Sequence, residues 1–227
     1  MHGTSSEVNT RYTLFATNQQ FPQRRKPAPQ STYIVTLPPN TPWTWSILTT
    51  FHLANKRLVL PGKTTVVLRT TTDSSTEYTV TQITPPTPNS TTATTSTPTV
   101  VASGRVNVFK WVGMTTSWYG RKRGTWWLNN VDVKEDLWIP PGPSAVPTAM
   151  VMLQAGLRKG KREFVAMENI TMADSLVFAL THRVFSAAVN DVDQVVFPFD
   201  QIPMVVHWFC RMQSRLLPSL LHTTHSD

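Results

Sequence analysis

Two basic tripeptides carry the plainest chemistry in this sequence. Arg24-Arg25-Lys26 lies near the start, and Arg121-Lys122-Arg123 sits between Gly120 and Gly124. Three adjacent cations repel one another unless an anion is close, so each trio reads as a set of non-specific phosphate contacts. The plainer alternative is a solubilising turn or leader. A third basic run, Arg158-Lys159-Gly160-Lys161-Arg162, also brackets a glycine and reads as a charged turn.

Other reactive residue types are scattered. No phosphate-binding glycine loop, zinc-ligand spacing or nucleophile elbow occurs. The six histidines (His2, His52, His182, His207, His222, His225) pair closely only in the polar tail, and His207 lies in the apolar run Met204–Phe209, where a core or interface role fits better than a base. Cys210 is the only cysteine, which excludes an internal disulfide framework; with no basic motif beside it, a buried structural thiol is expected. The acids Asp132, Glu135, Asp136, Asp191 and Asp193 are spaced too loosely to specify a carboxylate pair or a Ca²⁺ loop. The expectation is a protein that is not an enzyme, with no metal and no cofactor.

Charge distribution separates the chain into halves. Up to Val131 there are 13 Lys and Arg against three acids (Glu7, Asp73, Glu77), a balance of +10; the remainder balances at −2. Such asymmetry favours an acidic partner, most simply nucleic acid. The four tryptophans Trp111, Trp118, Trp126 and Trp127 surround the second basic trio, so they serve either as core residues or as stacking platforms for bases. No apolar run reaches the length of a membrane span, and the first residues lack a signal-peptide apolar region.

The elements that would position these residues read mostly as strands. Tyr33–Leu37, Thr64–Thr70 and Glu77–Ile83 are rich in β-branched residues, and Trp43-Thr44-Trp45-Ser46-Ile47 alternates with period two. Gly104–Val131 reads as two strands joined by the charged turn. Ala149–Gln154 and Glu163–Met167 read as a hairpin about the third basic run. Gln194–Phe199 and Met204–Met212 supply two more strands, and Met172–Ala188 fits strands or a helix by composition. Residues 1–32 form a flexible, polar basic arm with a Pro27-Ala28-Pro29 stop, residues 84–99 a Thr/Pro-rich surface loop, and residues 213–227 a polar tail. The expected fold is therefore all-β, an antiparallel sandwich over residues 33–212.

A basic arm, about ten short strands and proline-rich turns together resemble the single jelly-roll capsid proteins of small icosahedral RNA viruses. The resemblance is one of layout over residues 33–212, and the arm is poorer in arginine than is usual in that family. It implies a homo-oligomer that closes into a shell, RNA as the packaged partner, and location in the virion, with host cytoplasm before assembly. Arg24, Arg25, Lys26, Arg121, Lys122 and Arg123 would then face phosphates. Two other classes stay open: a single-stranded nucleic-acid-binding regulator or movement-type protein, and a carbohydrate-binding β-sandwich.

Overall fold

The computed structural model describes residues 8–15, 31–54, 63–73, 76–84, 98–116, 118, 135–142, 145–160, 163–165, 169–189 and 197–221. They fall into two units. One comprises the described residues of Met1–Thr44 and Ala54–Ser117, the other those of Trp45–Leu53 and Trp118–Asp227.

The first unit is built on a five-stranded sheet. Its strands are β1 (Val8–Phe15), β2 (Ser31–Leu37), β3 (Lys63–Thr70), β4 (Thr79–Ile83) and β5 (Thr99–Ser103). Their spatial order is β1-β3-β2-β4-β5. β2 and β3 run parallel, and every other neighbouring pair is antiparallel. A parallel pair cannot be closed by a tight hairpin, and helix α1 (Pro42–Leu53) lies in the connection between them. Val35 stands opposite Leu68 on one side and Val80 on the other, and all three are buried. Helix α2 (Arg105–Thr115) follows β5 and buries Val108, Phe109 and Val112. Trp43 meets Phe109 edge-on at 5.1 Å, and Tyr33 lies 5.3 Å from Trp111. Full burial of an apolar side chain such as Val108, Phe109 or Val112 contributes about 1.5–3 kcal/mol of transfer free energy.

The second unit is helical. It holds residues Trp45–Leu53 of α1 and the helices α3 (Thr148–Gly160), α4 (Met172–Val189) and α5 (Pro203–Leu221), with 3₁₀ turns at Glu135–Trp138 and Phe199–Gln201. α4 is buried without a break from Met172 to Thr181, as suits a helix surrounded by others. α5 buries Val205, Trp208, Phe209, Met212 and Leu216, a stripe at helical spacing. Phe178 stacks on Phe209 at 4.7 Å, and Phe185 meets Phe197, Phe199 and Phe209 edge-on at 5.8, 5.1 and 4.9 Å.

This mixed α/β architecture corrects the all-β jelly-roll expectation. The strands foreseen at Tyr33–Leu37, Thr64–Thr70 and Glu77–Ile83 correspond to β2, β3 and β4. Trp43–Ile47 is helical instead: five residues satisfy a period of two and a helical i, i+4 pair equally well, and Trp43, Ile47 and Phe51 extend the helical series into the core. Ala149–Gln154 belongs to α3, where Met150, Leu153 and Leu157 are buried while Val151 and Met152 are exposed. An unbroken apolar run carries no polar spacer from which a period could be read. Val106–Trp111 lies in α2, Met204–Met212 in α5, and Met172–Val189 takes the helical alternative as α4. α5 carries helix to Leu221, into the segment expected to be a polar tail, and β1 pairs with β3 within the arm expected to be flexible. His207 and Cys210 are exposed on α5, which corrects the core histidine and the buried thiol.

Candidate functional site

The chain leaves β2 through Pro38-Pro39, which cannot extend a hydrogen-bonded ladder, and reaches Asn40 with φ 52°. Asparagine tolerates this left-handed conformation better than most residues with a Cβ. The turn delivers Thr41 to the N-cap of α1, where its Oγ1 accepts the backbone N–H of Thr44 at 3.0 Å. Pro42 takes the first helical position, where no N–H is needed.

Three hydroxyls converge at this helix end. The Thr44 hydroxyl, buried, donates to the Pro38 carbonyl oxygen at 2.7 Å. Thr41 Oγ1 lies 3.0 Å from Thr44 Oγ1, and the Tyr78 hydroxyl is hydrogen-bonded to Thr41 Oγ1 and lies 3.2 Å from Thr44 Oγ1. Tyr78 is buried immediately before β4, and Thr44 is buried beside it; Thr41 is the member of the cluster that keeps solvent contact.

A second helix end reaches the same place. The Tyr78 carbonyl accepts the N–H of Gly104 at 2.9 Å, and Gly104 is the N-cap of α2. Gly104 has φ 81°, a backbone state that glycine adopts without strain. It offers no side chain to cap the helix, and the first turn of α2 contains no acid. Arg105 opens that turn, with its guanidinium 5.4 Å from the Trp43 ring centre. Tyr78 and Trp43 thus tie the starts of α1 and α2 together within the first unit. Each start carries about half a positive charge from its aligned peptides. Arg105, a cation where the α2 dipole disfavours one, adds to the same sign. Such a place favours a bound anion.

A polar cluster of another kind lies in the second unit. Thr171 immediately precedes α4, and the Asp174 carboxylate reaches back to accept Thr171 N–H at 2.9 Å, the Thr171 hydroxyl at 2.8 Å and Val165 N–H at 2.7 Å. Desolvation by burial pushes this carboxyl up to about 6, against the downward pull of those donors. At the next residue of α4, Ser175 shares a hydrogen bond with Ser46 at 2.5 Å, while Ser175 donates to the Met172 carbonyl and Thr50 to that of Ser46. Every member of this cluster is buried. Its work is to bind α1, α4 and the chain at Val165 together.

The residues foreseen from sequence are elsewhere. Arg24, Arg25, Lys26, Arg121, Lys122 and Arg123 lie outside the described residues, as do most of the 84–99 loop, Trp126 and Trp127. Trp111 packs on Tyr33 in the first unit, and Trp118 accepts the N–H of Met172 on its carbonyl in the second. Arg158 and Lys159 occupy the last turn of α3 and not a hairpin tip. Among the described residues no three His, Cys, Asp or Glu side chains are grouped so as to hold a metal, and no helix is long and apolar enough to cross a membrane. Sequence reasoning missed Thr41, Thr44, Tyr78 and Asp174. The available signal was the pattern Thr-x-x-Thr at 41–44, with Pro42 after the cap, and Thr-x-x-Asp at 171–174.

No known family profile matches the chain, and no curated protein sequence matches it. Solved structures do. Maleylacetoacetate isomerase from Anaeromyxobacter dehalogenans superposes with a TM-score of 0.53 at 10% identity, covering 84% of this chain and 89% of the isomerase. Weaker likenesses include the Bombyx mori glutathione transferase BmGSTD1 (TM-score 0.46, 18% identity, 86% and 92% covered). Another is the theta-class glutathione S-transferase from Xanthomonas axonopodis pv. citri with glutathione bound (TM-score 0.44, 11% identity, 82% and 93% covered). The isomerase establishes a shared fold, and it overturns the resemblance to viral capsid proteins. With that resemblance go the closed shell, the packaged RNA and the virion. The expectation of a protein that is not an enzyme falls with them, since the fold shown is one that an enzyme uses.

Proposed function

We propose that this chain is a glutathione-dependent transferase or isomerase, whose thiol ligand docks at the joined starts of α1 and α2. The observation that carries the reading is the hydroxyl cluster Thr41–Thr44–Tyr78 at the N-terminus of α1, tied by the Tyr78 carbonyl to the N-cap of α2. A thiol becomes a nucleophile when its anion is stabilised, and helix starts with hydrogen-bond donors lower thiol pKa values. The Thr41 hydroxyl is the donor with solvent contact, and so the group placed to meet a ligand sulfur. Glutathione also carries carboxylates, which suit the N–H groups at the start of α2 and the Arg105 guanidinium beside them.

In this scheme the protein supplies position and electrostatics, and the ligand supplies the sulfur. Cys210, the only cysteine, is exposed on α5 in the other unit. The thiol proton leaves to bulk water as glutathione binds, and the thiolate accepts the Thr41 hydroxyl proton as a hydrogen bond. A carboxylate-bearing electrophile, with an activated double bond or an aryl halide, is the fitting second substrate. The fold shared with an isomerase of a maleyl compound supports that choice.

Calorimetric titration of the full chain with glutathione tests the reading, joined to assays for conjugation of chlorodinitrobenzene and for cis–trans isomerisation of a maleyl ketone. Saturable binding is expected, with thiolate ultraviolet absorbance appearing near neutral pH and turnover in one of the two assays. Thr41→Val is expected to lower kcat/KM about a hundredfold, the usual scale for losing one donor to a developing anion. Absence of glutathione binding by the folded wild-type chain would overturn the proposal.

A further inference from the structure

The three hydroxyls at the start of α1 have fewer protons than they have places to put them. Thr44 commits its own proton to the Pro38 carbonyl, which can only accept. Two hydroxyl protons, those of Thr41 and Tyr78, then serve three oxygen–oxygen approaches: Thr41 to Thr44, Tyr78 to Thr41, and Tyr78 to Thr44. Two of the arrangements that keep the buried Thr44 oxygen served differ in whether the Thr41 proton points inward or outward. In the first, Tyr78 donates to Thr41 and Thr41 donates inward to Thr44. In the second, Tyr78 donates to Thr44 across 3.2 Å, and the Thr41 proton is released to point outward.

We propose that Tyr78 is a positioning residue that switches the Thr41 hydroxyl between an inward and a ligand-facing orientation by taking over donation to Thr44. The inference rests on the reading above, in which Thr41 faces a thiolate. Its basis is the closed triangle of hydroxyls and the burial of two of its corners, Thr44 and Tyr78. Because a buried oxygen without a donor is costly, the Thr41 proton can turn outward only when another donor replaces it. Tyr78 is that donor. A bound thiolate then draws the second arrangement, and no covalent bond in the protein changes. The thiol proton goes to bulk water.

The consequence is specific. Tyr78→Phe keeps the ring and its packing but removes the replacement donor, so Thr41 stays turned toward Thr44. The apparent pKa of the bound thiol should rise by about one unit, and kcat/KM near neutral pH should fall about tenfold, with the KM for glutathione little changed. Thr44→Val added to Tyr78→Phe removes the inward acceptor, frees the Thr41 proton, and should bring the pH limb back toward wild type. A purely structural role for Tyr78 would instead make the double variant worse than the single one.

The test is the pH profile of kcat/KM and of thiolate absorbance for wild type, Tyr78→Phe and Tyr78→Phe/Thr44→Val, each checked for folding by circular dichroism. A raised limb in Tyr78→Phe, recovered in the double variant, is the expected result. An unmoved limb in Tyr78→Phe, or a further rise in the double variant, overturns the switch and leaves the glutathione reading standing. If a variant fails to fold, Tyr78→Met and Thr44→Ala supply the same contrast. Wild-type protein that does not bind glutathione overturns the reading itself, and this inference with it.

Discussion

The same four-residue grammar opens two helices and produces opposite results. At α1 it is Thr41-Pro42-Trp43-Thr44, and at α4 it is Thr171-Met172-Ala173-Asp174. In both, the first threonine stands immediately before the helix, and in α1 it accepts the N–H of the fourth residue. In α4 the last residue is an acid that folds back on that threonine and also takes the Val165 N–H, so two oxygens meet three donors and the cluster is closed and dry. In α1 the last residue is a hydroxyl that turns away to Pro38, and the cap keeps solvent contact with its proton shared among neighbours. One helix start is a fastening. The other has hydrogen-bonding capacity left for something else. A carboxylate at the third helical position consumes the helix's positive end, whereas a threonine leaves it for a ligand.

The fastening should be the costlier of the two to break. Asp174→Ala orphans three buried donors, each at about 1–3 kcal/mol, and relieves a buried charge whose cost is on the order of 3 kcal/mol. The orphaned donors outweigh the relief. A net loss of about 3 kcal/mol is expected in urea denaturation, together with faster amide exchange at Val165. A loss below about 1 kcal/mol would show that the cluster is not what binds this part of the second unit.

Acidity sharpens the contrast through the buried carboxyl of the α4 cluster. Burial raises the Asp174 carboxyl from an ordinary 3.8 to about 6 in the folded chain. Between those values the folded state binds more protons than the unfolded one, so the group's contribution to stability is complete below about 3.8 and is lost as the pH rises through about 6. The stability difference between wild type and Asp174→Asn should therefore move in favour of wild type on acidification across that window, by on the order of 2–3 kcal/mol. Parallel pH profiles for the two proteins would remove Asp174 from the account.

Much of this was hidden from a reading of residue types alone, for definite reasons. β2, β3 and β4 were legible because half-buried strands alternate and are rich in valine and threonine. α1 and α3 were not. Trp43–Ile47 is short enough to satisfy two periods, and threonines placed on a buried helix imitate strand composition, although packing overrides their modest helix propensity. The site was hidden by a related cause. Its members Thr41 and Tyr78 are 37 positions apart, and nothing local says that the residue before β4 returns to the start of α1. The charge asymmetry pointed to a polymeric anionic partner, whereas the reading proposed above needs only a small anion at the positive ends of α1 and α2.

The smallest expected effect is at Asn40, and it asks how far the difference between the two helix starts lies in the backbone. Among the described residues Asn40 is the non-glycine with positive φ, at 52°, and it precedes the cap of α1. The left-handed state costs an ordinary residue roughly 1–2 kcal/mol, and asparagine less. Asn40→Ala should therefore lower stability by about 1 kcal/mol. Asn40→Gly should change it by no more than about 0.5 kcal/mol, since glycine accepts the conformation but loses more entropy on folding. If the turn also aims Thr41, the alanine variant should weaken glutathione binding several-fold while the glycine variant does not. Equal binding in both would mean that hydrogen bonds from Thr44 and Tyr78 hold Thr41 without help from the turn, and that the two helix starts differ in their third residue alone.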